Sequence, residues 1–178
     1  MNRHFFRVSF IAGILIFALL HAESRNADLE SLKTALEAEI RASGAEVGLA
    51  FKDLETGESL LIGEKIRMHA ASTMKIPVMI EVFKQAAEGR FRLDGGLPVK
   101  NEFPSLADGS PFSLSPEDDS DPAIYAWIGK EMTIRELVER MITVSSNLAT
   151  NILIELVRAK NVMATLEGMH ISGMHVLR

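Results

Sequence analysis

Ala70-Ala71-Ser72-Thr73-Met74-Lys75-Ile76-Pro77-Val78 is the stretch from which the fold can be read. A serine hydroxyl is a poor nucleophile at neutral pH and needs a base within hydrogen-bond reach. Residues three apart on a helix stand one turn up the same face, so Ser72 and Lys75 can meet without help from distant chain. Lysine serves as a base only where burial or cationic neighbours bring its pKa from about 10.4 towards roughly 7 or 8. The apolar run after Lys75 offers that burial. Ile76, Met79, Ile80 and Phe83 form one stripe, and Val78, Val82 and Ala86 form another. A helix apolar on most sides belongs in a core, where it is a rigid platform for a nucleophile. Pro77 lacks the N–H that would bond the Thr73 carbonyl, which predicts a loose first turn at Ser72. If Ser72 opens the helix, its own N–H points at any oxyanion forming there. Alone, the motif is weak and more often marks a helix start with an exposed lysine, so the flanking chain has to decide.

Upstream, Leu29, Leu32, Leu36 and Ile40 recur at helical spacing, and Gly44 is placed to stop that helix. Val47, Leu49 and Phe51 alternate with Gly48, Ala50 and Lys52 as in a strand. Glu55-Thr56-Gly57-Glu58 makes a turn, and Ser59 to Ile62 returns to complete a hairpin. Downstream, Gly89 ends the Ser72 helix. Leu93 to Met132, rich in Gly, Pro, Ser and Asp, reads as a long loop. Its Glu117-Asp118-Asp119 run with Asp121 lacks EF-hand spacing and reads as a solvated acidic segment, with Tyr125 and Trp127 pinning its end. Thr133-Ile134-Arg135-Glu136 is a capping box. Ile134, Leu137, Val138, Met141 and Ile142 then share a face. The helix breaks at Thr143-Val144-Ser145-Ser146-Asn147, and another follows with Ile152, Leu153, Leu156 and Val157 apolar. Ser145-Ser146-Asn147 therefore puts a hydroxyl and an amide on an interhelical turn, where buried polar groups need partners. Helix capping by Ser146 or Asn147 is the simpler account. Asn161 is placed to cap a last short helix through Val162 and Leu166.

The chain has 178 residues, 47% of them hydrophobic, which predicts one domain with a sizeable core. A formal net charge of −5 without a basic patch argues against a nucleic-acid partner. With no cysteine, disulfides, cysteine ligation and a lipid anchor on an N-terminal cysteine are excluded. His4, His21, His69, His170 and His175 show no zinc-site spacing, so no metal is expected. His69 lies near Ser72 and reads as structural or solvent-facing. No Ser-His-Asp triad pattern, P-loop or Rossmann glycine pattern occurs. Residues 1–22 read as a signal peptide, with an uncleaved membrane anchor as the alternative. Arg3 and Arg7 open it, Val8 to Leu20 is apolar apart from Ser9 but short for a bilayer, and a cleavage site can end at Ala22, though Leu20 is larger than the usual small residue. Residues 23–178 would then form an exported domain, periplasmic or secreted, with no stable membrane association after cleavage.

Taken in order, these features resemble the serine penicillin-recognising enzymes, most closely class A β-lactamases. Ser72-Thr73-Met74-Lys75 matches the first family element, and Ser145-Ser146-Asn147 matches the second at the expected order and distance. The resemblance runs from about Asp28 to the end. It implies an α+β, β-lactamase/transpeptidase-like fold, with an N-terminal helix and β-hairpin plus a mainly helical domain. It implies catalytic roles for Ser72 as nucleophile, Lys75 as proton acceptor and Ser145 as proton relay to the leaving nitrogen. It assigns Asn147 to the substrate's side-chain amide. It also implies a small-molecule β-lactam substrate, no cofactor, and a monomer if complete. Two departures stand out. Ser146 occupies a position where class A enzymes usually carry aspartate. No Lys-Thr-Gly follows, nor the loop with the deacylating glutamate, so the C-terminal strands are expected to be missing. The resemblance thus implies the N-terminal portion of a β-lactam-hydrolysing enzyme, weakly active or inactive in this form. A D,D-peptidase or penicillin-binding protein and a non-catalytic exported binding domain are the alternatives.

Overall fold

A computed structural model describes residues 28–105, 108–174 and 176. The signal expectation at residues 1–22, with His4 and His21, lies outside the described residues, as does His175. No helix among the described residues is long and apolar enough to cross a membrane. The architecture is α+β, in two compact units that divide after Met68.

The first unit contains helix α1 (28–43) and a hairpin of β1 (Leu49–Lys52) and β2 (Ser59–Ile62). Gly44 stops α1 in the left-handed conformation, φ +67°, that glycine adopts without steric cost. The antiparallel register pairs Leu49 with Ile62 and Lys52 with Ser59. Asp53 shapes the turn, because its Oδ1 accepts the Glu55 and Thr56 amides at 2.7 and 3.0 Å. Leu60 is buried in this unit, whereas Phe51 and Leu61 are about half exposed.

The second unit, from His69, carries the core. Its helices are α2 (Lys75–Ala87), α3 (Ile134–Thr143), α4 (Asn147–Val157) and α5 (Ala159–Gly168). α4 is central and packs against α2, α3 and α5. It is buried along nearly its whole length because its sequence, Leu148 to Leu153 above all, is apolar or uncharged on every side. Leu137, Met141, Leu148 and Leu153 are fully buried, each contributing roughly 1.5–3 kcal/mol. The capping box at Thr133 is formed: its hydroxyl accepts the Glu136 amide at 3.2 Å, and Glu136 accepts the Thr133 amide at 2.9 Å. Ile142, expected on the buried face of α3, is exposed, as are Ile76 and Phe83 on α2.

The segment read as a long loop holds two short strand pairings and two turns. β3 (Gly96–Pro98) pairs antiparallel with β6 (Glu131–Thr133), and β4 (Phe103–Pro104) pairs with β5 (Pro111–Phe112). Two 3₁₀ turns, Pro116–Asp118 and Pro122–Trp127, lie between them. These strands escape a pattern search because prolines 98, 104 and 111 remove ladder donors and keep each ladder to two or three residues. Trp127, expected to pin this segment, lies 41% exposed with the Lys130 ammonium over its ring. Asn161 does not cap α5. It stands inside the first turn, and its side-chain amide donates back to the Val157 carbonyl at 2.7 Å.

Candidate active site

The loose turn expected from Pro77 is present. Ala71–Met74 form a 3₁₀ turn, and regular α2 begins only at Lys75. Pro77 then falls in the first helical turn, where an amide has no intrahelical acceptor to lose. Ala71 is left-handed, φ +44°, and its amide is taken by His69 Nδ1 at 3.1 Å. The Thr73 hydroxyl donates to the Ala70 carbonyl. Side chains on both sides of Ser72 thus hold this turn. A non-glycine residue with positive φ costs on the order of 1–3 kcal/mol and persists only where its surroundings hold it.

Opposite this turn, α3 and α4 meet at the Ser145-Ser146-Asn147 corner. Ser145 is also left-handed, φ +61°, and the Ser146 amide returns to the Arg140 carbonyl at 3.1 Å. The consequence is that Ser145 offers two oxygens to one amine: Lys75 Nζ lies 2.6 Å from its carbonyl and 2.8 Å from its Oγ. Asn147 Oδ1 accepts from the same Nζ at 3.1 Å. Ser72 Oγ stands 2.8 Å from Ser145 Oγ. All four residues singled out from sequence therefore converge within the second unit. Lys75 is 3% exposed, whereas Ser72 faces solvent. An unbroken line runs from an accessible hydroxyl, through a second hydroxyl, to a buried amine.

A further carboxylate belongs to this corner. Asp119 is buried, not solvated as its acidic neighbours suggested. Its Oδ1 accepts the Asn147 amide at 2.9 Å and the Asp121 amide at 3.1 Å. Its Oδ2 accepts the Leu148 amide at 2.8 Å and the Tyr125 hydroxyl at 3.0 Å. Burial pushes the Asp119 carboxyl up, but the amides of Asn147, Leu148 and Asp121 and the Tyr125 hydroxyl outweigh it and hold the group below the ordinary aspartate value. Asp121 is buried as well, with both carboxylate oxygens on Arg140 Nη1 at 3.0 and 2.7 Å. Glu117 and Asp118 remain exposed. Among the described residues no group of three or more His, Cys, Asp or Glu is placed to hold a metal ion.

A profile described as "Beta-lactamase enzyme family" matches residues 31–178. The chain belongs to the beta-lactamase enzyme family. This is a serine hydrolase family. A "Beta-lactamase" of Rhodobacter capsulatus is 33% identical over 111 residues, 62% of this chain and 33% of that protein. Among solved structures, an ancestral class A beta-lactamase superposes with a TM-score of 0.67 at 26% identity, over 83% of this chain and 52% of that one. The structure of PBP-A superposes with a TM-score of 0.61 at 25% identity, over 82% and 52%. The family member described here thus spans about half the length of these structures and a third of the Rhodobacter protein. The expected β-lactamase/transpeptidase-like fold is the one found.

Proposed function

We propose that the site acylates on β-lactams in the manner of a class A β-lactamase, with Ser72 as nucleophile and hydrolysis of the ester as the completed reaction. The observation that carries this reading is the hydroxyl–hydroxyl–amine line from Ser72 to Lys75. With Lys75 neutral, two N–H bonds serve the Ser145 carbonyl and Asn147 Oδ1, and the lone pair faces Ser145 Oγ. As Ser72 Oγ bonds to the lactam carbonyl carbon, its proton passes to Ser145 Oγ, and the Ser145 proton passes to Lys75. When the C–N bond breaks, the same line returns one proton to the nitrogen through Ser145. The Ser72 amide is one oxyanion donor, and Asn147 receives the substrate's side-chain amide. Residues 1–22 export the chain, and residues 23–178 act outside the cytoplasm.

A second reading, a penicillin-binding D,D-peptidase, shares every step up to the ester and is favoured by the likeness to PBP-A. Labelling with a fluorescent penicillin tests both. The label is expected on the full chain and lost in Ser72→Ala, and label that survives this substitution rejects Ser72 as nucleophile. Decay of the adduct over minutes supports hydrolysis, and an adduct stable for hours supports the peptidase. Because the chain spans about half of the matched structures, turnover by these 178 residues alone is expected to be slow.

A further inference from the structure

We propose that Asp119 is the positioning residue of the Ser145–Asn147 corner, setting where the relay hydroxyl and the amide-binding side chain stand. The inference rests on the acylation reading above and deepens it. Helix α4 begins at the corner, and its first amides lack intrahelical acceptors. Three successive amides are met by side chains: Asn147 and Leu148 by the two oxygens of Asp119, and Ala149 by Ser146 Oγ at 3.2 Å. Asp119 reaches them from 28 and 29 positions upstream, so this is a tertiary clamp and not a local cap. Its carboxylate accepts four hydrogen bonds, which fills its capacity and fixes its orientation.

The clamp grips the residue that touches Lys75. The Asn147 backbone amide donates to Asp119, and its Oδ1 accepts from Lys75 Nζ. Ser145, two residues back, is left-handed and bonds Lys75 through two atoms. The Asp119 segment is in turn tied to α3, because the Asp121 carboxylate sits on Arg140, whose carbonyl takes the Ser146 amide. The corner is therefore braced from both helices it joins. Asparagine at 119 would present an NH₂ where one oxygen now accepts a backbone amide, leaving a buried donor opposed by a donor. A shift of the corner by about 1 Å is enough to cost on the order of 10²-fold in rate.

The test uses the full chain and Asp119→Asn, with the exposed neighbour Asp118→Asn as control. Hydrogen exchange is followed at the 145–149 amides, and acylation is timed with benzylpenicillin and with 6-aminopenicillanic acid, which lacks the side-chain amide. Asp119→Asn is expected to speed exchange at Asn147 and Leu148 while later α4 amides stay protected. Acylation should slow on the order of 10²-fold, more for benzylpenicillin than for 6-aminopenicillanic acid. Adding Asn147→Ala should cost less than the product of the two single effects. Unchanged exchange at the corner overturns the proposal. So does a loosened corner with unchanged acylation, or an equal loss on both penicillins together with full additivity. If Asp119→Asn does not fold, Tyr125→Phe removes one donor to the carboxylate, and the same unequal loss at several-fold size is expected; equal loss overturns the proposal. A parent chain that takes no penicillin defeats the acylation reading, while the exchange measurement still decides whether Asp119 holds the corner.

Discussion

Ser72 Oγ and Ser145 Oγ, 73 positions apart in the chain, stand 2.8 Å from one another. Ser145 Oγ is in turn 2.8 Å from Lys75 Nζ. The second hydroxyl therefore lies within hydrogen-bond reach of both the first and the amine.

Lys75→Arg tests whether the amine must lose its proton. Arginine keeps the charge but is not deprotonated in proteins. Arginine and alanine at position 75 are therefore expected to slow acylation alike, on the order of 10²–10⁴-fold. Stopped-flow timing with a reporter penicillin reads this. A Lys75→Arg protein within tenfold of the parent would show that charge alone suffices.

Two buried carboxyls are expected to contribute to the acid limit of the fold. Burial pushes Glu81 up, but the Thr165 hydroxyl, Gln85 and Lys84 outweigh it and hold the group below its ordinary value, and Asp119 is held low in the same sense. A depressed folded pKa gives stability that is complete above the unfolded pKa, about 4, and is lost as pH falls through the folded value. Urea midpoints should hold level from pH 7 to 5 and fall below about pH 4. Glu81→Gln should flatten the acid limb and cost about 1–3 kcal/mol at pH 7.

The capping box at the start of α3 is predicted to serve stability alone. Thr133→Ala removes the acceptor of the Glu136 amide and should cost about 1 kcal/mol by urea unfolding, with penicillin acylation unchanged. A tenfold loss of acylation would mean that the α3 start is coupled to the corner at its other end.

Leu153→Ala empties a fully buried site on α4 and should destabilise by about 2–5 kcal/mol. Ile142→Ala, on the exposed side of α3, should stay within about 0.5 kcal/mol. Thermal melts compare the two, and similar losses would mean that Ile142 is covered in solution.

The hairpin, the nucleophile helix and the capped helix announced themselves because each is a local pattern: alternation at Val47–Phe51, a three-residue spacing at Ser72 and Lys75, and Thr133 answered by Glu136. Ser145 and Asn147 were legible through the order and spacing of family elements. Asp119 was not. Its neighbours Glu117 and Asp118 are exposed, and nothing in an acidic run marks the one member whose partners lie 28 residues onward. Asp121 was hidden for the same reason, since its partner Arg140 lies 19 positions onward. Ser146 stands where class A enzymes are expected to carry aspartate, and the carboxylate at this corner arrives from a different segment.

The left-handed backbone at Ser145 narrows what drift can offer at that codon. Threonine is the other residue with a hydroxyl on its β-carbon, and its branch is poorly tolerated at φ +61°. Glycine and asparagine accept that conformation readily but bring no hydroxyl. Of the two residues with a hydroxyl on the β-carbon, serine is therefore the one this backbone suits, so under the proposed relay role a lineage that loses it has no near neighbour carrying the same group.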